Sequence, residues 1–277
     1  MKPFSGRRIV VTGAASGLGR ALAVRFATDG WRVGIADVEL ARSEETLGEV
    51  KRAGGDGFVE RCDVRKEGDW EALRERVKKE WGSLDVLVNN AGVGSSGTVT
   101  ETSFADWEWT LDVNLLGVIR GCRAFVPMLV DQGRGHVVNV ASFAAIASAP
   151  GMAAYNVAKA GVFSLSESLR AEVFDDGVGV TVACPSFFQT NLLESFRGGD
   201  SGVKARVARL MQRAKITAAD VADDIYRAVL AGEFLVISHD GAKWQHRLKR
   251  ALPEIFYREV RKATKRWNPR AKDAAPR

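Results

Sequence analysis

The chain has 277 residues, 46% of them hydrophobic and 27% charged, with a formal net charge of +6. This length fits one large α/β domain better than two small ones. We see no secretory signal, no uninterrupted apolar stretch of membrane-spanning length, and three widely spaced cysteines that match no metal or disulfide pattern, so we expect a reduced cytoplasmic protein without a metal.

Strand-like and helix-like patterns alternate along the chain. Strands are predicted over 7–13, 31–37, 57–63, 84–92, 135–142, 178–185 and 233–239, and helices over 18–30, 43–55, 69–82, 103–132, 152–175 and 217–232. This order predicts a single α/β domain over 1–239, a Rossmann-type doubly wound parallel sheet with helices on both faces. Ligands of such sheets bind beyond the carboxyl ends of the strands.

A glycine-rich turn joins the first strand to the first helix. In TGAASGLG, Gly13, Gly17 and Gly19 permit a sharp turn, and the helix N-terminus with Ser16 and Leu18 offers free N–H groups to a pyrophosphate. The alternative interpretation is an ordinary tight turn. The position between a strand and a helix favours a dinucleotide site.

The ends of the next strands carry residues that suit the rest of a dinucleotide. Asp37 ends strand two, where a carboxylate accepts hydrogen bonds from ribose hydroxyls and repels a 2′-phosphate, so we expect NAD rather than NADP. The alternative for Asp37 is a turn cap. An adenine pocket and the backbone beside the ribose are predicted from Asp63, Val64, Asn90, Ala91 and Gly92.

Ser142 ends strand five, and Tyr155 and Lys159 follow at a spacing of one helical turn. A cation about 4 Å from a phenol contributes roughly 4 kcal/mol at an effective dielectric near 20. Lowering a phenol pKa from about 10 to about 7 needs a similar energy. We therefore expect Lys159 to lower the pKa of Tyr155, the alternative being an amphipathic helix with a snorkelling lysine.

Together, TGAASGLG, Asp63, NNAG, Asn114, Ser142, YNVAK and PSFFQT resemble the short-chain dehydrogenase/reductase family over about residues 6–239. The resemblance implies that Tyr155 exchanges a proton with the substrate oxygen, that Lys159 holds the nicotinamide ribose, and that Ser142 steadies the substrate oxygen. It also implies that Asn114 holds a water linked to Lys159, and that Pro185, Phe188 and Thr190 lie near the nicotinamide. Ser186 replaces the family's usual glycine.

The segment 186–216 departs from the alternation and is predicted to be a helical lid. Substrate-facing positions are mostly apolar and contain no Lys or Arg: Val93, Gly94, Phe143, Ala144, Ala145, Met152, Phe187, Leu192, Leu193 and Phe196. We therefore expect a neutral hydrophobic secondary alcohol or ketone of steroid, retinoid or aliphatic type.

Residues 240–277 are predicted to form a basic amphipathic helical extension. They hold 12 Lys and Arg and 4 Asp and Glu, a net charge of +8, whereas the remaining residues hold 28 basic and 30 acidic side chains, a net charge of −2. An apolar stripe of Trp244, Leu248 and Leu252 suits either packing on the body or a partner subunit, or peripheral contact with an anionic membrane. We do not expect nucleic-acid binding.

These features predict an NAD-dependent oxidoreductase. The alternatives are an epimerase or dehydratase of the same superfamily and a non-catalytic protein that senses NAD. The resemblance implies a homodimer built on the helices of 103–132 and 152–175, or a homotetramer.

Overall fold

The computed structural model of the protein describes residues 4–188, 194, 196–198 and 201–264. Seven parallel strands form one sheet in the order β3-β2-β1-β4-β5-β6-β7. The strands are β1 Arg8–Thr12, β2 Arg32–Asp37, β3 Asp56–Arg61, β4 Val86–Asn89, β5 Gly135–Val140, β6 Val178–Ala183 and β7 Leu235–Val236. The order reverses between β1 and β4, which places a ligand crevice at their carboxyl ends.

Helices follow the strands and cover both faces of the sheet. They are α1 Gly17–Ala27, α2 Leu40–Arg52, α3 Glu67–Trp81, α4 Phe104–Leu111, α5 Gly117–Asp131, α6 Ala144–Ala147, α7 Ala153–Glu172, α8 Ser201–Gln212, α9 Ala218–Ala231, α10 Asp240–Ala251 and α11 Pro253–Thr264. The predicted doubly wound fold with a helical C-terminal extension is confirmed.

Alternate side chains of the central strands enter two separate apolar cores. In β1, Val10 joins a cluster with helices α3, α5 and α7, whereas Ile9 and Val11 join a cluster with α1 and α9. All of β5 is buried. Near-continuous apolar strands suit a parallel sheet because water reaches neither face.

The predicted helical stretch 103–132 is interrupted by a π-helical turn, Asp112–Leu116, between α4 and α5. The stretch Phe104–Asp131 is long and apolar enough to cross a membrane by length and composition, although the sequence analysis expected no such stretch. A core helix has the same composition, and Phe125 and Leu129 of α5 are completely buried in the core next to the sheet. We therefore interpret this stretch as a core element.

The last strand is shorter than the predicted 233–239. Only Leu235 and Val236 pair with β6, at the edge of the sheet. Residues beyond Val236 leave the sheet, and His239 contacts the backbone after β6. The chain then continues into α10 and α11.

The α5 helix approaches the sheet so closely that one position requires glycine. A Cβ atom on Gly121 would lie 2.2 Å from Asn89 Oδ1 and 2.6 Å from the Trp70 ring. We expect Gly121→Ala to lower the free energy of unfolding by about 1–3 kcal/mol because the packed neighbours must shift. Urea denaturation followed by circular dichroism measures this change.

Gly48 of α2 is the matched control, since a Cβ atom there meets nothing within 4 Å. Gly48→Ala is expected to raise the free energy of unfolding by about 0.5–1 kcal/mol through helix propensity. Equal effects of the two substitutions would contradict the close approach of α5.

Candidate active site

The glycine-rich turn between β1 and α1 adopts backbone angles that favour glycine. Gly13 has a φ of 65° and Gly17 a φ of 55°. A Cβ atom on Gly13 would lie 2.7 Å from Ala91 Cα, and one on Gly19 would lie 2.1 Å from the Gly13 carbonyl oxygen. Gly19 therefore permits packing within the turn, and the N–H groups at the start of α1 border the crevice.

Buried hydrogen bonds join the turn to the end of β4. Thr12 Oγ1 accepts from the backbone N–H groups of Asn90 and Ala91 at 3.0 and 3.1 Å. Asn90 Nδ2 donates to the carbonyl oxygens of Thr12 and Gly13 at 2.8 and 3.2 Å. Asn90 therefore links the neighbouring loops, and these bonds fix the width of the crevice.

The Asp37 carboxylate at the end of β2 faces the glycine-rich turn. It accepts from the N–H of Ala15 at 2.9 Å and from the N–H of Glu39 at 3.0 Å. Arg42 lies in the same wall and pairs with Glu194 at 2.7 Å. The sequence analysis assigned Arg42 no place at this site.

Asp63, two residues after β3, is 5% exposed and forms a two-bond pair with Arg65. The oxygen–nitrogen distances are 2.9 and 2.7 Å. Hydrogen bonds from Arg65 hold the pKa of Asp63 below its usual value. The carboxylate therefore stays ionised and fixes the turn that leads to Val64.

A cavity of about 800 Å³ runs along the carboxyl ends of the strands. This volume lies within the usual range for ligand pockets. The predicted residues that line it are Gly13, Ser16, Gly17, Leu18, Asp37, Asp63, Val64, Asn90, Ala91, Gly92, Val93, Asn114, Ser142, Phe143, Ala144, Met152, Tyr155, Lys159, Pro185, Phe187, Phe188 and Phe196.

Three predicted residues do not line this cavity: Gly19, Gly94 and Ala145. Gly19 faces the Gly13 carbonyl, and its contact with a cofactor stays a prediction. Thr190, Leu192 and Leu193 lie outside the described residues. Among the described residues, no group of three or more His, Cys, Asp or Glu side chains is placed to hold a metal ion.

Ser142, Tyr155 and Lys159 meet at the centre of the cavity wall. Tyr155 and Lys159 lie one turn apart on α7 and are 7% and 4% exposed. Lys159 Nζ donates to the Val140 carbonyl at 2.9 Å and lies 5.8 Å from the centre of the Tyr155 ring. The Ser142 hydroxyl hydrogen-bonds the Tyr155 hydroxyl and accepts from the N–H of Ala144.

Burial dominates the electrostatics of this group. It raises the pKa of the Tyr155 phenol, against a smaller lowering by the hydrogen bond from Ser142. Burial also lowers the pKa of the Lys159 ammonium to about 8. The expectation that Lys159 lowers the pKa of Tyr155 is therefore wrong for the protein by itself, because Nζ binds the Val140 carbonyl rather than the phenol.

Asn114 lies in the π-helical turn and is completely buried. Its Oδ1 accepts from Val93 N–H at 2.9 Å, and its Nδ2 donates to the Val93 carbonyl at 2.9 Å. A Cβ atom on Gly92 would lie 2.7 Å from Asn114 Oδ1 and 3.5 Å from Lys159 Nζ. The side-chain amide thus holds the β4 loop beside Lys159, and its water-holding role stays a prediction.

Cys184 also lies in this buried group, although the sequence analysis assigned it no place there. It is completely buried, and its sulfur accepts a hydrogen bond from the backbone of Ser142. Burial raises the pKa of this thiol to about 12, so the sulfur stays protonated and neutral. No sequence signal distinguishes Cys184 from the other cysteines. Its contact with Ser142 joins the ends of β5 and β6, which are distant in sequence.

The far end of the cavity is mostly apolar. Met152, Tyr155, Val203, Val207 and Met211 form a small buried cluster in which α8 closes over the start of α7. Trp109 and Arg197 were not predicted. They also line the cavity, with the guanidinium 4.0 Å from the centre of the indole ring. The cavity wall therefore contains a cation, which corrects the expectation of no Arg among the substrate-facing residues.

The C-terminal extension and His239, the residue before it, support the same end of the cavity. His239 Nδ1 accepts from Ser186 N–H at 3.4 Å, and its Nε2 then donates to the Phe187 carbonyl at 3.1 Å. Lys249 Nζ donates to the Ile146 carbonyl in α6 at 2.6 Å. These bonds hold the loop after β6, where Ser186 replaces glycine, and the α6 wall.

Comparison with known proteins gives the same family that the motifs resemble. The family model described as "short chain dehydrogenase" matches residues 7–200. The "2-(R)-hydroxypropyl-CoM dehydrogenase" of Xanthobacter autotrophicus is 35% identical over 232 residues, which cover 82% of this chain and 92% of that protein. "Probable oxidoreductase EphD" of Mycobacterium tuberculosis is 41% identical over 191 residues, 69% of this chain and 32% of that protein.

The chain thus spans about a third of the length of the EphD proteins that it matches. Among solved structures, a short chain dehydrogenase/reductase from Burkholderia phymatum in complex with NAD superposes with a TM-score of 0.86. It is 31% identical, and the match covers 92% of this chain and 96% of that chain.

The lowered pKa of Lys159 gives the protein a pH-dependent stability. Between about pH 8 and the ordinary lysine pKa of 10.5, Lys159 is protonated in the unfolded chain and deprotonated in the folded chain. The free energy of unfolding therefore rises with pH across this range, and the gain is lost as pH falls through 8. From pH 7.5 to 9.5 the wild type should gain roughly 2 kcal/mol relative to Lys159→Met. Urea denaturation of both proteins at the two pH values measures this difference. A difference that stays constant with pH would contradict the burial of a titrating ammonium.

Proposed function

Because the chain belongs to the short-chain dehydrogenase family, we propose that it is an NAD-dependent oxidoreductase that interconverts a hydrophobic secondary alcohol and its ketone. The observation that supports this proposal most strongly is the buried contact of Ser142 with Tyr155 beside Lys159, in the wall of a cavity that begins at the glycine-rich turn.

The residues along the cavity fit a dinucleotide. Gly13 and Gly92 line the cavity, and glycine at both positions lets the wall pack closely, because an added Cβ atom would lie 2.7 Å from Ala91 Cα or from Asn114 Oδ1. The N-terminus of α1 suits the pyrophosphate. The Asp37 carboxylate suits the adenosine ribose, and Lys159 suits the nicotinamide ribose. When bound, NAD supplies the acceptor or donor of the hydride.

The protein's own residues supply the proton chemistry. In alcohol oxidation, the Tyr155 hydroxyl group in its ionised form accepts the proton from the substrate hydroxyl, and in reduction it donates a proton to the carbonyl oxygen. Ser142 donates a hydrogen bond to the substrate oxygen and keeps it within reach of the phenol. Because burial raises the pKa of Tyr155, ionisation of the phenol requires the nearby Lys159 ammonium and further positive charge in the cavity.

The substrate is proposed from the cavity wall. The Met152, Val207 and Met211 side chains offer an apolar surface that fits an aliphatic or ring-shaped alcohol of steroid or retinoid type. Arg197 is exposed in the same wall, so a polar group of the substrate is accommodated at that position. The similarity to a dehydrogenase whose name specifies a hydroxypropyl substrate also supports a secondary alcohol.

NAD is preferred to NADP in this proposal for electrostatic reasons. The wall near the end of β2 holds three carboxylates, Asp37, Glu39 and Glu194, and one guanidinium, Arg42. The Asp63–Arg65 pair nearby is neutral as a whole. A net charge of −2 from these four groups opposes a 2′-phosphate.

A non-catalytic NAD sensor is the second candidate function, because the glycine-rich turn alone would suffice for it. Burying the ionisable Lys159 and Tyr155 side chains lowers the free energy of unfolding. A sensor that performs no proton transfer has no use for them, which favours an enzyme. An epimerase or dehydratase would use the same three residues. The single-domain sheet provides no additional subdomain among the described residues, which favours the oxidoreductase.

We also propose a homodimer or homotetramer. Exposed apolar side chains lie on or beside the helices expected at the subunit contact: Phe104, Leu116, Val157 and Phe174. Side chains of this kind at a surface favour association with another protein surface.

Removal of the Tyr155 hydroxyl provides the main test of the function. Tyr155→Phe should lower kcat for a hydrophobic secondary alcohol by about 10²–10⁴-fold because the proton acceptor is lost. NAD affinity, measured by fluorescence titration, should change little because the aromatic ring remains. The control is Tyr226→Phe, a tyrosine of α9 outside the cavity, which should keep its turnover. Normal turnover by Tyr155→Phe would refute the assignment.

Cofactor preference provides a separate test. The wild-type kcat/KM should be higher with NAD than with NADP, and Asp37→Ala should reduce the ratio by at least about tenfold, since one carboxylate near a phosphate contributes more than 1.4 kcal/mol at short range. Arg42→Met is the control, because loss of this cation leaves NAD preferred. A wild-type preference for NADP would overturn this part of the proposal.

A further inference from the structure

We propose that the helical hairpin α10–α11 is a docking surface for an anionic lipid bilayer. The observation that leads to this proposal is the orientation of α10. This helix packs on the body through Ala242, His246 and Lys249, and it leaves Trp244 and Leu252 exposed while Leu248 is half-buried.

The inner face of α10 contains Ala242, His246 and Lys249. Ala242 is buried, and Lys249 reaches the Ile146 carbonyl in α6. At 100° per residue, Trp244 and Leu248 lie on the opposite face. The Trp244 side chain is 61% exposed, and Leu252 at the end of the helix is 50% exposed. Trp244 and Leu252 of the predicted stripe are therefore exposed and Leu248 is half-buried, so of the alternatives left open by the sequence, packing of the whole stripe on the body does not hold.

Basic side chains surround this exposed apolar stripe. Lys243, Arg247 and Arg250 lie along one side of it on α10, and all three are exposed. In α11, Phe256 is buried and contacts Lys249, whereas Arg258, Arg261 and Lys262 are exposed. Residues 240–264 contain seven Lys and Arg and three Asp and Glu, a net charge of +4.

A bilayer matches this surface better than a second copy of the chain does. A two-fold contact would bring two hairpins of charge +4 together, and like charges oppose that contact. An exposed Trp and Leu flanked by Lys and Arg is the arrangement of helices that lie in the membrane interface. Each basic residue near an anionic surface contributes about 1 kcal/mol.

The position of the hairpin connects lipid binding with the cavity. Lys249 of α10 holds α6, and Ala144 and Ala147 of α6 line the cavity. A bilayer at the outer face of α10 would therefore lie one helix away from the substrate wall. This places a lipid-soluble alcohol close to the cavity that would receive it.

The test is flotation of the full-length protein with vesicles of phosphatidylcholine, with and without phosphatidylglycerol. We expect binding only to the anionic vesicles, and its loss at about 1 M salt, where the screening length is about 3 Å. Arg247→Gln with Arg250→Gln should weaken binding roughly 20- to 30-fold, as expected for two charges. Equal binding to both vesicle types, or no binding, would overturn the proposal.

Two leucines of equal exposure give a matched pair. Leu252 of the hairpin and Leu230 of α9 are each 50% exposed. Trp244→Ala with Leu252→Ala should reduce vesicle binding at least tenfold, whereas Leu230→Ala should not change it. An equal loss in both variants would contradict a localised surface.

Two further measurements distinguish other occupants of the hairpin. Light scattering after gel filtration gives the oligomeric state of each variant. If Trp244→Ala with Leu252→Ala dissociates the oligomer and leaves vesicle binding intact, the surface is a subunit contact and the proposal fails. Binding of a DNA duplex is measured for the wild type and for Trp244→Ala with Leu252→Ala. If both proteins bind DNA as tightly as the wild type binds anionic vesicles, the proposal also fails. NAD affinity should stay unchanged in every variant, which shows that the body remains folded.

Discussion

The candidate site depends on a buried ammonium group. Lys159 lies on α7 with its Nζ bonded to the Val140 carbonyl at the end of β5, and burial lowers its pKa to about 8. A charge in this position is expensive to desolvate unless it is hydrogen-bonded or paired. An added Cβ atom on Gly92 would lie 3.5 Å from Nζ, so the chain after β4 passes close to the ammonium. The hydrogen bond to the Val140 carbonyl is therefore the contact that holds this cation in place.

The polar bonds at the strand ends and the apolar core have separate roles. Alternate side chains of the parallel strands enter two cores, which fixes the sheet. At the carboxyl ends, the carbonyl and N–H groups that follow the strands are bonded by Thr12 and Asn90. A buried backbone group without a partner costs stability. Side chains that supply those partners therefore also set the shape of the cavity.

The far end of the cavity is built from segments distant in sequence. The α8 helix closes over Met152, and His239 holds the loop after β6. Because the substrate wall is shared with the C-terminal extension, changes in that extension can alter specificity without touching the proton-transfer residues. The same extension turns its basic and apolar outer surface to solvent, so one hairpin contacts both the substrate wall and the proposed membrane.

The sequence by itself determined the order of strands and helices and the glycine-rich turn, because these follow from local periodicity. The grouping of Ser142, Tyr155 and Lys159 followed from the resemblance of the motifs to a known family. Tertiary structure alone decided the direction of the Lys159 ammonium, the approach of Cys184 to Ser142 and the entry of Arg197 into the cavity wall. It also decided which face of α10 meets the body. Each of these depends on contacts between distant segments, and burial then changes the pKa values that spacing alone suggests.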